Sequence, residues 1–261
     1  MKSKINVILK KLSILLWFFL RPKYYQHLFF LIKRKFLLNH DTSINQNKAY
    51  NWASTKSVPY TDALKKLGFE GDISDLDNET IKEGHNLEAQ SSIKMGGPGH
   101  IHLLYNCVRL LKAQKVIETG VAYGWSSLAI LKALSENSGG KLFSVDMPYP
   151  TKNNEKDVGI VVPHYLRKNW LLIRKPDRPG IIEALDLAEG KIDLCHYDSD
   201  KSWWGRNYAY PILWKSLNPK GLFISDDIQD NLYFSEFVEK NSFNFAVVEF
   251  DGKFIGLIRK S

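Results

Sequence analysis

Two acids and a lysine close the segment CHYDSDK, where Asp198, Asp200 and Lys201 follow an apolar, alternating run. Asp226-Asp227 ends the segment ISDD in the same way. Carboxylates and an amine at strand ends suit proton transfer, binding of a polar ligand, or coordination of a hard divalent cation. Adjacent acids repel unless a cation or hydrogen-bond donors compensate them. Asp198, Asp226 and Asp227 are therefore candidate oxygen ligands for one Mg²⁺, with waters and substrate oxygens completing an octahedron. The plainer alternative has Asp198 and Asp226 capping helices and Asp227 on the surface.

A second group lies upstream in VIETGVAYGWSS, Val116 to Ser127. Glu118 precedes Gly120, and Gly124 precedes a helix opening at Trp125-Ser126. Gly120 permits a tight turn, and Gly124 lets backbone approach a ligand at a helix N-terminus. No Gly-Lys-Ser/Thr follows, so this is not a P-loop, and the Gly-x-x-x-Gly spacing is not that of the dinucleotide fingerprint. Tyr123 and Trp125 flank the turn and can cover a ligand or pack. The next apolar run, FSVD, ends in Asp146, 28 residues past Glu118. A carboxylate there can accept hydrogen bonds from both hydroxyls of a ribose. Asp177, in RKPDRPG, is a third strand-end acid.

These residues need a sheet whose strands all end on one ledge. From His100 onward segments of helix and strand period alternate: HIHLLYNCVRLLKA as a helix, KVIETG as a strand, WSSLAILKALSE as a helix, KLFSVD as a strand, PHYLRKN as a helix, WLLIR as a strand, PGIIEALDLA as a helix, KIDLCHYD as a strand, SWWGRNYAYPILWKSL as a helix, GLFISDD as a strand and DNLYFSEFVEK as a helix. Repeated β-then-α units imply a mostly parallel sheet with helices on both faces. NFAVVEF and KFIGLIRK around Asp251-Gly252 form a closing antiparallel hairpin. His196 sits on the alternating strand as a core histidine. His100, His102 and His164 show no metal-ligand pattern. Trp203 and Trp204 begin a helix, one to pack in the core and one to pack or wall the pocket, and Arg206 is expected on a solvated helix face rather than on an acidic substrate.

With these motifs assembled, the chain resembles the class I S-adenosylmethionine-dependent methyltransferases, and within them bacterial methyltransferase family 24. The likeness covers roughly residues 95–260 and rests on the Glu-x-Gly-x-x-x-Gly turn, Asp146, DSDKSW and ISDDI. It implies a Rossmann-like α/β fold with a seven-stranded, mostly parallel sheet. It implies S-adenosylmethionine as cofactor, held by Glu118, Gly120, Tyr123, Gly124, Ser126, Asp146, Asp177 and Asp198. The chain is also similar to metal-dependent O-methyltransferases of catechols and antibiotic sugars, which implies Mg²⁺ on Asp198, Asp226 and Asp227. By the sugar enzymes the general base would be Asp200; by the catechol enzymes it would be Lys201. A lysine stands at 201 where the bacterial family usually has histidine. The implied reaction is O-methylation of a small hydroxylated acceptor, a sugar, glycan unit or secondary metabolite. A metal-independent N- or O-methyltransferase, and a non-catalytic membrane-recruited adaptor that keeps the fold, stay open beside it.

Composition bounds the rest. The net charge of +8 is local: residues 1–40 hold nine Lys/Arg and no acid, while residues 41–261 hold 27 Lys/Arg against 28 Asp/Glu. The basic excess therefore gives no reason to expect a nucleic-acid partner for the main domain. Cys107 and Cys195 lie far apart, so neither a disulfide framework nor a zinc site is expected, and the cytoplasm is the default compartment. The basic segment is also apolar, but its first run, Leu12–Leu20, is too short for a bilayer core of about 30 Å. Residues 1–40 read as a helical arm. It packs on its own domain or a second subunit, or touches the anionic inner face of a membrane. Residues 41–95 read as a polar, irregular linker and lid-like region with one helical patch at TDALKKLGF, and residues 96–261 as the methyltransferase domain. A homo-oligomer is compatible with either packing of the arm.

Overall fold

The computed structural model describes residues 2–137, 139–150 and 154–261. Seven strands form one sheet: β1 (Lys115–Thr119), β2 (Lys141–Val145), β3 (Trp170–Ile173), β4 (Ile192–Tyr197), β5 (Leu217–Ser225), β6 (Asn244–Phe250) and β7 (Lys253–Arg259). Their order is β3-β2-β1-β4-β5-β7-β6. The first five are parallel, and β7 lies antiparallel between β5 and β6, as the Asp251-Gly252 hairpin requires.

Among the described residues ten α-helices surround the sheet: α1 (Lys2–Phe19), α2 (Tyr25–Arg34), α3 (Ser43–Lys56), α4 (Tyr60–Lys66), α5 (Asn78–Glu88), α6 (Ile101–Leu111), α7 (Trp125–Glu136), α8 (Asp177–Leu187), α9 (Trp203–Ser216) and α10 (Tyr233–Lys240). His164–Asn169, expected to be helical, is a 3-10 segment. Strand alternation divides the core in two. Val116, Leu194 and Leu222 face α6 and α7 in one cluster, while Ile117, Cys195 and Phe223 face α8, α9 and α10 in the other. Both faces are therefore dry, as for a parallel sheet covered by helices. No helix among the described residues is long and apolar enough to cross a membrane.

Residues 41–95 carry the helical patch expected at TDALKKLGF, as α4, but are otherwise more regular than the expected linker. Three of the helices, α3, α4 and α5, lie there. Ala53, Ala63, Leu64 and Leu67 are fully buried in the two core clusters. The N–H of Val58 donates to the Val247 carbonyl at 2.9 Å, so the segment is tied to β6. The helix α3 escapes notice in sequence because SINQNKAYNWASTK has no apolar stripe; it meets the core through two alanines. Its cap is regular, with Thr42 Oγ1 accepting from the Asn45 N–H, a contact worth about 1 kcal/mol.

The parallel ladder continues past the strand ends through the acids. The Asp146 N–H donates to Ile173 O, the Asp198 N–H to Thr119 O, and the Asp226 N–H to Tyr197 O. Three carboxylates are thus set on one ledge by backbone pairing.

Candidate active site

Gly120 ends β1 with φ +82°, and a Cβ there would meet the Asp198 carbonyl at 2.4 Å. Only glycine allows the ends of β1 and β4 to come this close. Gly124, at φ +90°, caps α7, and a Cβ there would lie 2.8 Å from Gly159 Cα. Over this double turn lies a crevice in two parts. One, about 400 Å³, is lined by Gly120, Asp146, Tyr149, Asp177, Asp198 and Asp200, among others. The second, about 240 Å³, is lined by Gly97, Tyr123, Ser126, His196, Lys201 and Asp226, among others. Gly120, Tyr149, Asp198 and Ser199 belong to both.

In the first part, Asp146 Oδ1 accepts the Val121 N–H at 3.0 Å, and Arg174 pairs with Oδ2. Burial pushes the Asp146 carboxyl up, with Arg174 and the Val121 N–H pulling against it. Asp177 opens α8 and accepts from Ser199 Oγ at 2.6 Å. Burial pushes its carboxyl up to about 6. Residues Phe30, Leu31 and Arg34 of the arm close this part from outside.

The neighbours Asp200 and Lys201 diverge. Asp200 faces the first part, where Arg34 Nη1 reaches both its oxygens at 3.3 Å. Its Oδ1 also accepts from Ser202 N–H at 3.2 Å and Ser202 Oγ at 2.6 Å, and Ser202 is the N-cap of α9. Asp200 is thus occupied in fixing a helix start and the arm. Lys201 faces the second part, where its Nζ lies 2.8 Å from Asp198 Oδ1 and pairs with Asp227 Oδ2. Burial opposes its charge, but Asp198 and Asp227 outweigh burial and raise the ammonium pKa further above the ordinary lysine value. An ammonium held this way donates; it does not take a proton.

Of the three proposed Mg²⁺ ligands, Asp198 and Asp227 meet on Lys201, and Asp226 is aimed elsewhere. Asp227 sits at left-handed φ (+52°) and turns to Lys201, Lys253 (3.3 Å) and Gln229 (3.2 Å). Burial pushes its carboxyl up, but Lys201 outweighs burial and leaves it below the usual value. Asp226 Oδ1 instead faces His196 Nε2 at 3.4 Å. Burial and the nearby Asp226 push Asp198 up to about 6. Among the described residues no group of three His, Cys, Asp or Glu is arranged to hold a metal ion. The Lys201 ammonium occupies the place between Asp198 and Asp227 that a divalent cation would need, so the donor set does not fit Mg²⁺.

Glu118, expected at the cofactor, is fully buried and lines neither part. Its Oε2 accepts from Ser127 Oγ at 2.5 Å and Ser144 Oγ at 2.7 Å. Register pairs Glu118 with Ser144 on one side and His196 on the other. His196 Nδ1 lies 3.8 Å from Glu118 Oε1. Burial opposes protonation of His196, yet Asp226 and then Glu118 outweigh it and raise its pKa to about 10. Glu118 therefore acts beneath the turn, holding α7 and the row that reaches Asp226. Tyr123 lines the second part, but its hydroxyl accepts the Met95 N–H at 3.2 Å and so also fastens the glycine-rich loop Gly96–Gly99.

Sequence reasoning missed Arg206. It is fully buried, not solvated, and donates to the carbonyls of Asp226 (3.1 Å) and Asp227 (2.7 Å). It holds the backbone of the ISDD ledge. The all-round apolar YAYPILW hides the phase of α9, leaving no stripe to reveal its inner face. Trp203 and Trp204 do pack: Trp203 stacks on His40 at 4.0 Å, and Trp204 Nε1 donates to Leu38 O at 3.1 Å.

Comparison with known proteins now meets this geometry. A family model described as "Methyltransferase domain" matches residues 117–228, from inside β1 to just past Asp226-Asp227. Residues 117–228 are a methyltransferase domain. No curated protein sequence matches the chain. Among solved structures, the domain and its flanks are similar to an O-methyltransferase from Bacillus cereus in complex with SAH. The TM-score is 0.52 at 16% identity, covering 80% of this chain and 100% of that one. The O-methyltransferase TomG from Streptomyces achromogenes, involved in tomaymycin synthesis and in complex with SAM, matches with TM-score 0.52 at 14% identity. It covers 80% of this chain and 99% of its own. An SAH-bound methyltransferase, PaMTH1 from Podospora anserina, matches with TM-score 0.51 at 13% identity, covering 84% and 97%. At these identities the likeness establishes the fold, the Rossmann-like sheet of methyltransferases.

Proposed function

We propose that the chain is an S-adenosylmethionine-dependent O-methyltransferase of a small hydroxylated acceptor, such as a sugar, glycan unit or secondary metabolite. It works in the cytoplasm, with its arm at the inner face of a membrane. The observation that carries this is the continuity of the crevice. The strand-end acids Asp146 and Asp177 lie in one part and Lys201 and Asp226 in the other, joined through Gly120, Tyr149 and Asp198. The SAH- and SAM-bound relatives of the same fold support it.

The residues fit the cofactor. Asp146 can accept two ribose hydroxyls once Arg174 moves to its second partner, Glu155, whose carboxylate lies 3.0 Å from Arg174 Nε. Asp177, in the same part of the crevice, would face the adenine, and the Gly120 turn would face the remainder. The cofactor supplies a methyl on a sulfonium that leaves as a neutral thioether. Formation of the O–CH₃ bond and loss of the C–S bond send the electron pair to sulfur. The acceptor's O–H proton must go elsewhere. Lys201, kept charged by its two acids, can orient the acceptor oxygen as a donor. Asp198, at the junction and beside Lys201, is the carboxylate placed to take the proton, and solvent receives it afterwards. No step needs Mg²⁺, because the Lys201 ammonium provides the positive charge beside these acids. That feature favours the metal-independent reading over the metal-assisted one, and a chelator should leave turnover unchanged.

The test is calorimetric titration with S-adenosylhomocysteine. The wild type should bind, and Asp146→Ala should lose at least about 100-fold in affinity, two charge-assisted hydrogen bonds being worth about 3 kcal/mol or more. Unchanged affinity in the variant would remove the cofactor assignment.

A further inference from the structure

The arm has two faces with different partners. The inner face of α2 is committed: Phe30, Leu31 and Arg34 line the first part of the crevice. Arg34 pairs with Asp200, and the Arg178 guanidinium lies between the rings of Phe30 (3.9 Å) and Tyr208 (4.0 Å). The outer face is uncovered. On α1, Leu9, Leu12, Leu16 and Phe19 recur at helical spacing and are all more than half exposed. Tyr25, Phe29, Ile32 and Phe36 repeat the pattern along and just beyond α2, with Phe29 69% and Phe36 85% exposed. Large apolar side chains exposed in such number mark an interaction site.

Charge identifies the partner. Lys11, Arg21, Lys23, Lys33 and Lys35 are exposed beside these stripes. Among the described residues, Arg34 alone of the arm has an ion-pair partner. No acid occurs before Asp41. A second copy of the chain would bring nine more cations against the first nine. An anionic bilayer accepts both features, taking the aromatic and leucine side chains at the acyl boundary and the cations at its headgroups. Between α1 and α2 a groove of about 710 Å³, lined by Leu15, Phe18, Leu28, Leu31 and Trp204, has Lys11 and Lys35 among its wall residues. Its apolar walls and cationic residues suit one acyl chain and the phosphate of the same bilayer.

We infer that the outer face of the arm docks on an anionic lipid bilayer while its inner face closes the adenosine end of the crevice. The second half rests on the cofactor reading of that crevice; the first does not. Because the two faces are distinct, both contacts can exist at once, and a bilayer that orders the arm must tighten the ligand beneath it by linkage.

Full-length protein is floated with vesicles of phosphatidylcholine, with and without about 30% phosphatidylglycerol. The expected result is a more than about tenfold preference for the anionic vesicles, lost in Phe29→Asp/Phe36→Asp and in high salt. Those residues are exposed, so an unchanged melting temperature would confirm that the variant folds. Equal binding to both vesicles, no flotation, or a dimer in sedimentation that the same variant dissolves would overturn the docking. S-adenosylhomocysteine affinity is then measured with and without vesicles. A tightening of about threefold or more, absent in Arg34→Ala, is expected; an affinity indifferent to vesicles overturns the coupling. If the wild type binds no S-adenosylhomocysteine at all, the cofactor reading fails while the flotation result stands.

Discussion

The two ends of the crevice solve the same electrostatic problem in different ways. Both place a strand-end carboxylate against a cation. At the end proposed for the ribose, Asp146 faces Arg174, which reaches in from the end of β3 and also holds Glu155 at the surface. At the other end Lys201 has both its acidic partners, Asp198 and Asp227, inside the site. Arg174 can therefore leave without losing every partner, and Lys201 cannot. The first cation is exchangeable, suited to a position where a neutral ribose must replace it. The second is resident, suited to a position where charge is needed throughout the reaction.

The largest effect should come from removing the resident charge. Lys201→Met keeps the stem and deletes the ammonium, and kcat should fall about 10²- to 10³-fold, as for loss of one transition-state donor. S-adenosylhomocysteine affinity should stay within about threefold. An unchanged kcat would show that the ammonium only holds the ledge together.

A middle-sized effect concerns His100, a neutral group lining the same end. Its Nδ1 accepts the Leu103 N–H at 3.3 Å as the cap of α6, and its ring stacks on Phe250 at 4.6 Å. Burial, then His102, lower its pKa to about 4, while Asp226, Asp75 and Asp251 pull the other way. The unfolded chain takes up this proton below about 6.5 and the folded chain only below about 4. Stability should therefore fall as pH drops through that window, by about 2 kcal/mol after allowance for solvent screening. His100→Asn retains a capping oxygen, so its melting temperature should vary less between pH 6.5 and 4 than that of the wild type. Parallel curves would assign the acid sensitivity to other groups.

The smallest effect should come from the exchangeable cation. Arg174→Ala frees Asp146 Oδ2 for the ribose, so S-adenosylhomocysteine should bind about three- to tenfold more tightly, a gain of about 1 kcal/mol. The free protein should melt lower because Asp146 then lacks its partner. Weaker binding would mean that Arg174 itself touches the ligand.

The sequence carried what periodicity and strand ends can carry. Glu118, Gly120, Asp146, Asp198 and Asp226 each follow an alternating apolar run, so their placement on or under one ledge was readable. Direction was not. Asp200 and Lys201 are adjacent in a short loop, and only the Ser202 cap and the arm decide that one turns to the ribose end and the other away. Glu118 was misread because its neighbours Ser144 and His196 come from other strands, through a register that no local pattern encodes. Arg206 was misread because aromatic residues surround it in sequence. Within residues 41–95 the patch that became α4 was readable, but α3 went unseen because alanines and a cap, rather than an apolar stripe, hold it.

The tie between Val58 and Val247 bears on when this fold can form. The helical layer around residues 43–67 rests on β6 and β7: Trp52 stacks on Phe245 at 5.5 Å, and Arg259 Nη1 donates to the Leu67 carbonyl at 2.8 Å. Those strands emerge from a ribosome roughly ten seconds or more after Val58 at ordinary rates of synthesis. Through that interval the arm has been made but the sheet that seats its neighbours has not. The apolar stripes of α1 and α2 thus meet the cell before any crevice exists beneath them.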